Sequence, residues 1–157
     1  MSAVRRLVAP IFVSIVSAGL VAGAVPAPAQ AGTAAEIYQA AAFTATNAQR
    51  VAHARVPFRH QTCLQQYAVR QAARMARQDR MFHQDLQAVL RNCGLRKAGE
   101  NVAYGYRTGR SVVDDGWMRS AGHRRNILDP DFRLMGLAAR QSADGTWYAS
   151  QVFGRRA

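Results

Sequence analysis

Apolar positions recur along this chain in two rhythms, and the change of rhythm orders its elements. Thr33-Ala-Ala-Glu36 matches a capping box, in which each side chain bonds the other residue's backbone N–H. Ile37, Ala41, Thr44, Ala48 and Val51 then recur on one helical face. The spacing predicts a first helix from Ala34 to Ala54, and Pro57 stops any continuation. A second helix begins at Thr62. Leu64, Ala68, Ala72, Met75 and Asp79 form its stripe, and Arg70, Arg74 and Arg77 lie off it. The small alanines on this stripe predict close approach to another layer. Asp85 to Arg91 is expected as a short helical turn, Gly94 to Gly99 as a loop, and Val102 to Tyr104 as a short strand. Ser111-Val-Val-Asp114 reads as a second capping box, opening a helix that reaches Ser120 and buries Val113 and Trp117. Gly122 is its expected left-handed stop.

After the Asp129-Pro130-Asp131 turn the rhythm changes. Leu134 to Gln141 and Trp147 to Phe153 read as strands, joined by a turn containing Asp144-Gly145, which is a hairpin signal. Helices bracketing a small antiparallel sheet give an α+β layered domain.

Residues 1–31 interrupt neither rhythm and read as an export leader. Arg5 and Arg6 form a basic start, an apolar run extends from Leu7 to Val25, and Ala29-Gln30-Ala31 offers a cleavage site after Ala31. An uncleaved membrane anchor is the alternative, because that run approaches the length of a bilayer span. The domain then occupies residues 32–157. In an oxidising compartment Cys63 and Cys93, the only cysteines, are expected to form one disulfide, with two buried free thiols as the competing arrangement.

Charge narrows the partners. Lys and Arg number 21 against 9 acids, a formal net charge of +12, and Lys97 is the only lysine. Such a surface attracts anionic partners, with anionic lipid and cell-wall polymer as candidates. The arginines are scattered, with no aromatic-interleaved run, so no dedicated nucleic-acid binding is expected.

Three stretches carry candidate chemistry: Phe82-His83, Gly99 to Ala103, and Trp117 to Leu128. They supply His83, Glu100 and His123. Two imidazoles and a carboxylate can hold zinc with one position open to water, and the ion would acidify that water. The three residues come from separate segments rather than one helix. The other arrangement is a hydrogen-bonded polar cluster that orders the loops. His53 and His60 are expected at the surface, Trp117 in the core, and Asn126 bonding backbone near the cleft. Gln151 is expected on the opposite side of its strand from Tyr148 and Ser150. Ser120 and Ser150 show no Ser-His-Asp pattern, which argues against a serine hydrolase.

Gly99-Glu-Asn-Val-Ala-Tyr-Gly105, the Trp117–Leu128 stretch and Trp147–Gly154 occur in that order. Asn47-x-x-Arg50, Pro57-Phe58 and Phe82-His83 precede them. Over residues 35–154 this pattern resembles the bacterial branch of the CAP superfamily, the cysteine-rich secretory, antigen 5 and pathogenesis-related 1 group with its SCP domain. The resemblance implies a three-layer α-β-α sandwich with a small antiparallel sheet. It also implies a cleft lined by two histidines and two glutamates, which holds a divalent ion in some members. His83 matches the first histidine, Glu100 the glutamate of the GEN motif and His123 the second histidine. The second glutamate's position is Ser120 here, so the tetrad is incomplete and zinc or another divalent metal is expected to be held weakly. The expected function is that of a secreted, monomeric, non-enzymatic binding or scaffold module with a His/Glu-lined cleft. The alternatives are a metal-dependent hydrolase acting extracellularly on wall, peptide or nucleic acid, and a purely structural envelope protein.

Overall fold

The computed structural model describes residues 32–156. The expected leader and its cleavage site lie outside the described residues. In chain order the elements are helix α1 (Ala34–Ala52), strand β1 (Arg59–His60), helix α2 (Thr62–Gln78), helix α3 (Leu86–Cys93), strand β2 (Lys97–Tyr104), the short helix α4 (Gly109–Ser111), helix α5 (Ala121–Leu128), and strands β3 (Leu134–Gln141) and β4 (Trp147–Arg155). A π turn (Val112–Gly116) and a 3-10 turn (Trp117–Arg119) connect α4 to α5.

The strands form one sheet in the order β1-β3-β4-β2. The β3–β4 hairpin is as predicted, and β2 adds antiparallel to β4. Two-residue β1 pairs parallel with β3, so the sheet is mixed at that edge. Successive side chains of a strand point to opposite faces. On one face Leu134, Ala138 and Val152 pack under Leu64, Ala68 and Ala72 of α2 and Val89 of α3. On the other, Met135, Leu137, Ala149 and Phe153 meet Tyr38, Ala42 and Ala45 of α1, with Trp117 and Ile127. This is the three-layer α-β-α sandwich.

Close approach of the layers depends on two glycines. A Cβ at Gly136 would overlap the backbone of Leu64 and Gln65, and one at Gly109 would overlap the backbone of Tyr38 and Ala42. The alanine stripe of α2 therefore lies almost on β3. Beyond the end of β1, the Gln65 side chain bonds the Leu137 N–H at 3.0 Å and its carbonyl at 2.9 Å, as a neighbouring strand would. Cys63, in the first turn of α2, is bridged to Cys93 at the end of α3, with a Cα–Cα distance of 5.7 Å.

Five local expectations are corrected. The stripe expected to be buried on α1 is not: Ile37 and Val51 are 60% and 61% exposed, and the helix buries Tyr38, Ala42, Ala45, Thr46 and Arg50, whose polar members hid that face. Helix α1 ends at Ala52, two residues early, and Ala54 takes a left-handed conformation with φ 54°. The expected loop from Gly94 to Gly99 is strand from Lys97 onward, because β4 extends to Arg155 and pairs with it. Buried polar residues interrupt the apolar alternation there and hid the strand. The second capping box forms three residues earlier, between Thr108 and Ser111. Gly122 is not a left-handed stop: it sits in the first turn of α5, after the chain has turned at extended Ser120. His123 therefore rides on a helix.

Three stability measurements follow. Gly136→Ala should lower stability by about 1–3 kcal/mol, because a packed interface must move apart. Gly122→Ala, where a Cβ meets nothing within 4 Å, should raise it by up to about 1 kcal/mol through helix propensity; a loss would restore the left-handed conformation. Reducing Cys63–Cys93, separated by 30 residues, should cost about 3–4 kcal/mol on the chain-entropy model.

Candidate functional site

Strand β2 is the free edge of the sheet opposite β1, and the helical layers meet over it. Between them lies a cleft of about 520 Å³, whose wall includes Met81, Tyr104, Tyr106, Trp117, Ser120 and His123. An open edge strand presents unpaired backbone groups. Here Trp117 Nε1 donates to the Val102 carbonyl at 3.3 Å, and Asn126 Nδ2 donates to the Glu100 carbonyl at 3.2 Å. Trp117 is at once core, at 1% exposed, and cleft wall. Asn126 bonds backbone as expected.

Glu100 projects toward the α2–α3 layer, beside Ser150 of β4. Its side chain is fully buried. One carboxylate oxygen accepts from His83 Nδ1 at 2.8 Å and from the Gln84 N–H at 3.2 Å. The other accepts from Gln84 Nε2 at 2.6 Å and from Ser150 Oγ at 2.9 Å. A carboxylate only accepts, so the His83 ring donates from Nδ1. The His83 ring is more than half exposed. Its loop is anchored at both ends: the Gln71 amide donates to the Phe82 carbonyl, and Tyr148 Oη donates to Asp79 at 2.8 Å.

The opposite wall is set from the other face. Asn101 Nδ2 donates to the His123 carbonyl at 3.1 Å and to Gln151 Oε1 at 3.1 Å. Gln151 Nε2 donates to Thr46 Oγ1 of α1 at 2.8 Å, and Asn126 Nδ2 donates to Asn101 Oδ1 at 2.9 Å. Thr46, Asn101 and Gln151 are completely buried. This line of amides runs from α1 along one face of the sheet to α5 and fixes where His123 stands. Burial, and then the positive field of His83, hold the His123 imidazole below its ordinary pKa.

The structure thus joins His83 to Glu100 directly and places His123 on the far wall, with no hydrogen bond to either. Among the described residues no group of three or more His, Cys, Asp or Glu side chains stands ready for a metal ion. Gln151 faces away from Ser150 and Tyr148, as the strand period requires. His53 and His60 are exposed. Sequence reasoning missed Gln84, Gln71 and Thr46. It weighed Ser150 only as a nucleophile, whereas Ser150 donates to Glu100. The β2–β4 register that sets them side by side was the missing signal.

The model of the cysteine-rich secretory protein family matches residues 43–153. Over 60 residues the chain is 42% identical to the uncharacterized protein YkwD of Bacillus subtilis, covering 38% of this chain and 22% of that one. Over 42 residues it is 43% identical to the uncharacterized membrane protein YlbC of the same organism, covering 27% and 12%. The chain spans only a minor part of these curated relatives. Among solved structures, an extracellular protein of Bacillus anthracis containing an SCP domain superposes with a TM-score of 0.67 at 24% identity, over 78% of this chain and 41% of that one. A cysteine-rich secretory protein of Staphylococcus aureus gives 0.67 at 17%, over 79% and 40%. An outer surface protein of Borrelia burgdorferi gives 0.66 at 16%, over 73% and 90%. At these identities the structural likeness is one of fold.

The depressed pKa of His123 has a measurable consequence. The unfolded chain takes up this proton more readily than the folded one, so the stability the neutral ring contributes is complete above its ordinary value of 6.5 and is lost as pH falls through the lower folded value. Between about pH 7 and pH 5 the unfolding midpoint should fall less steeply in His123→Gln than in the wild type. Equal slopes would show that the ring is not held neutral.

Proposed function

The chain belongs to the cysteine-rich secretory protein family, and we propose that it is an exported binding module whose cleft beside β2 holds a ligand without catalysing a reaction on it. The observation that carries this reading is the state of Glu100. Both carboxylate oxygens are occupied by four donors of the protein itself. A general base needs an oxygen within reach of the proton it takes, and this one has none to spare. What faces the cleft is an aromatic and apolar wall that includes His123. Such a surface suits a molecule with an apolar body and a hydrogen-bonding head. Export is supported by the leader pattern of residues 1–31, by a disulfide that persists in oxidising compartments, and by the extracellular and outer-surface descriptions of the structural relatives.

A second reading has its own observation. A carboxylate that orients an imidazole through Nδ1–H is the usual support behind a metal-bound histidine, and His123 is held in the neutral form that ligates. His83 and His123 alone would then hold a divalent ion, with Glu100 behind the first rather than on the metal.

The test uses the chain from Gly32 onward and anilinonaphthalenesulfonate, an aromatic body with an anionic head. Its fluorescence should rise on the native protein and saturate at one equivalent. Met81→Ser with Tyr104→Ser should weaken binding at least tenfold while leaving the unfolding midpoint in place, since these side chains are 43% and 56% exposed. No native enhancement would remove the binding reading. Chelator-sensitive hydrolysis of wall, peptide or nucleic acid, lost in Glu100→Gln, would replace it with the hydrolase. Zinc that raises the midpoint of the wild type but not of His123→Ala would establish the two-histidine metal site.

A further inference from the structure

At the end of the sheet where β3 begins and β4 finishes lies a second cavity, of about 490 Å³, which shares no residue with the β2 cleft. Its wall is built from Arg59, His60, Arg133, Arg155 and Arg156, with Gln61 and Leu134. The register brings these together. Leu134 pairs with Arg59 on one side and with Gly154 on the other, so the arginines before Leu134 and after Gly154 flank one opening.

Four guanidiniums and an imidazole surround this space, and among the described residues no acid lines it. Among the described residues none of the four arginines is in an ion pair. The nearby Asp131 is bound to Lys97 at 2.9 Å. Two guanidiniums are held in place by the backbone of the preceding turn. Arg133 Nη1 donates to the carbonyls of Pro130 and Phe132, and Arg155 Nη1 donates to the Asp131 carbonyl at 3.3 Å. For each, the remaining guanidinium nitrogens bond no acceptor among the described residues. Gathering like charges around a hollow does not stabilise a fold, because each repels the others. A concave cationic wall concentrates the field on whatever enters, and the guanidinium fork matches phosphate oxygens.

We propose that this cavity is a second binding site, for a phosphate-bearing anion with two or more negative charges, seated between Arg133 and Arg155 with Arg59 and Arg156 at the rim. The site is independent of the cleft and of the function proposed for it. A soluble phosphorylated molecule and a phosphate headgroup at a lipid surface present the same chemistry.

The experiment compares the wild-type domain with Arg133→Gln/Arg155→Gln, with Arg59→Gln/Arg156→Gln, and with Arg77→Gln/Arg91→Gln, a control of equal net charge on α2 and α3. Among the described residues the side chains of Arg59 and Arg156 bond nothing, so that pair tests the site even if losing the anchored pair unfolds the turn. Calorimetric titration with inorganic tripolyphosphate should show one site that weakens as salt is raised. Affinity should fall at least tenfold in the Arg133/Arg155 variant, at least threefold in the Arg59/Arg156 variant, and less than twofold in the control. Co-flotation with phosphatidylcholine vesicles containing phosphatidic acid, showing the same order among variants, would identify a lipid headgroup as the source. Tripolyphosphate binding without vesicle binding would identify a soluble phosphate. The proposal is overturned if tripolyphosphate does not bind at low salt, or if the control loses as much affinity as the cavity variants.

Discussion

A buried cation caged by backbone carbonyls holds one half of this molecule together. Arg50, near the end of α1, is completely buried. Its guanidinium donates to four backbone carbonyls: Val56 at 2.6 Å, Ile127 at 2.6 Å, Asp129 at 3.0 Å and Phe132 at 3.2 Å. It also lies 3.8 Å from the centroid of the Phe58 ring. Burial, more than the neighbouring Arg133 and Arg55, pushes its pKa down to about 10, so it stays charged at neutral pH. Taking such a charge out of water is costly unless its donors are satisfied, and bonds to a charged donor contribute about 1.5–3 kcal/mol each. The cage is therefore all-or-none. One side chain fixes where the chain leaves α1, where α5 ends and how the turn before β3 runs. Asn47 completes the clamp, bonding the Phe58 N–H at 2.8 Å and its carbonyl at 3.1 Å.

The functional surfaces are consequences of that frame. With the end of α5 tied to Arg50 and its middle tied through Asn126 and Asn101 to the sheet, His123 has one place to stand. From the opposite face, Glu100 spends its carboxylate on the loop that presents His83. Polar residues that look chemical in the sequence are thus largely occupied with positioning. What remains accessible is the aromatic wall and the two rings, and, at the far end of the sheet, a group of arginines in no ion pair among the described residues.

The layered fold was legible because apolar periodicity reports burial, and burial is what layers share. The stripe of α2 and the final hairpin follow that rule, whereas the buried face of α1 includes Thr46 and Arg50 and was misplaced. The first half of strand β2 escaped, and only Val102 to Tyr104 was legible, because its buried positions Glu100 and Asn101 are polar and satisfied by partners from other elements, among them His83, Ser150 and Gln151. Gly122 misled because glycine is ambiguous: the turn it was expected to make had already been made at Ser120. The trio His83, Glu100 and His123 could be named from the order of motifs. That Glu100 faces protein donors, and not an ion or a substrate, depends on Gln84 and on the strand register. Arg50 was visible only as part of a short motif, since its partners are backbone carbonyls, which no side-chain pattern records.

The central claim is that the Arg50 cage, and not the hydrophobic sheet alone, holds α5 against the edge of β2 and so makes the cleft. Native-state hydrogen exchange on Arg50→Lys, which keeps the charge and removes the fork, tests it most directly. The account predicts faster exchange confined to residues 55–58 and 121–132, with the amides of α2 from Leu64 to Met75 as protected as in the wild type. Uniform acceleration across both helical layers, or no change in α5, would contradict it.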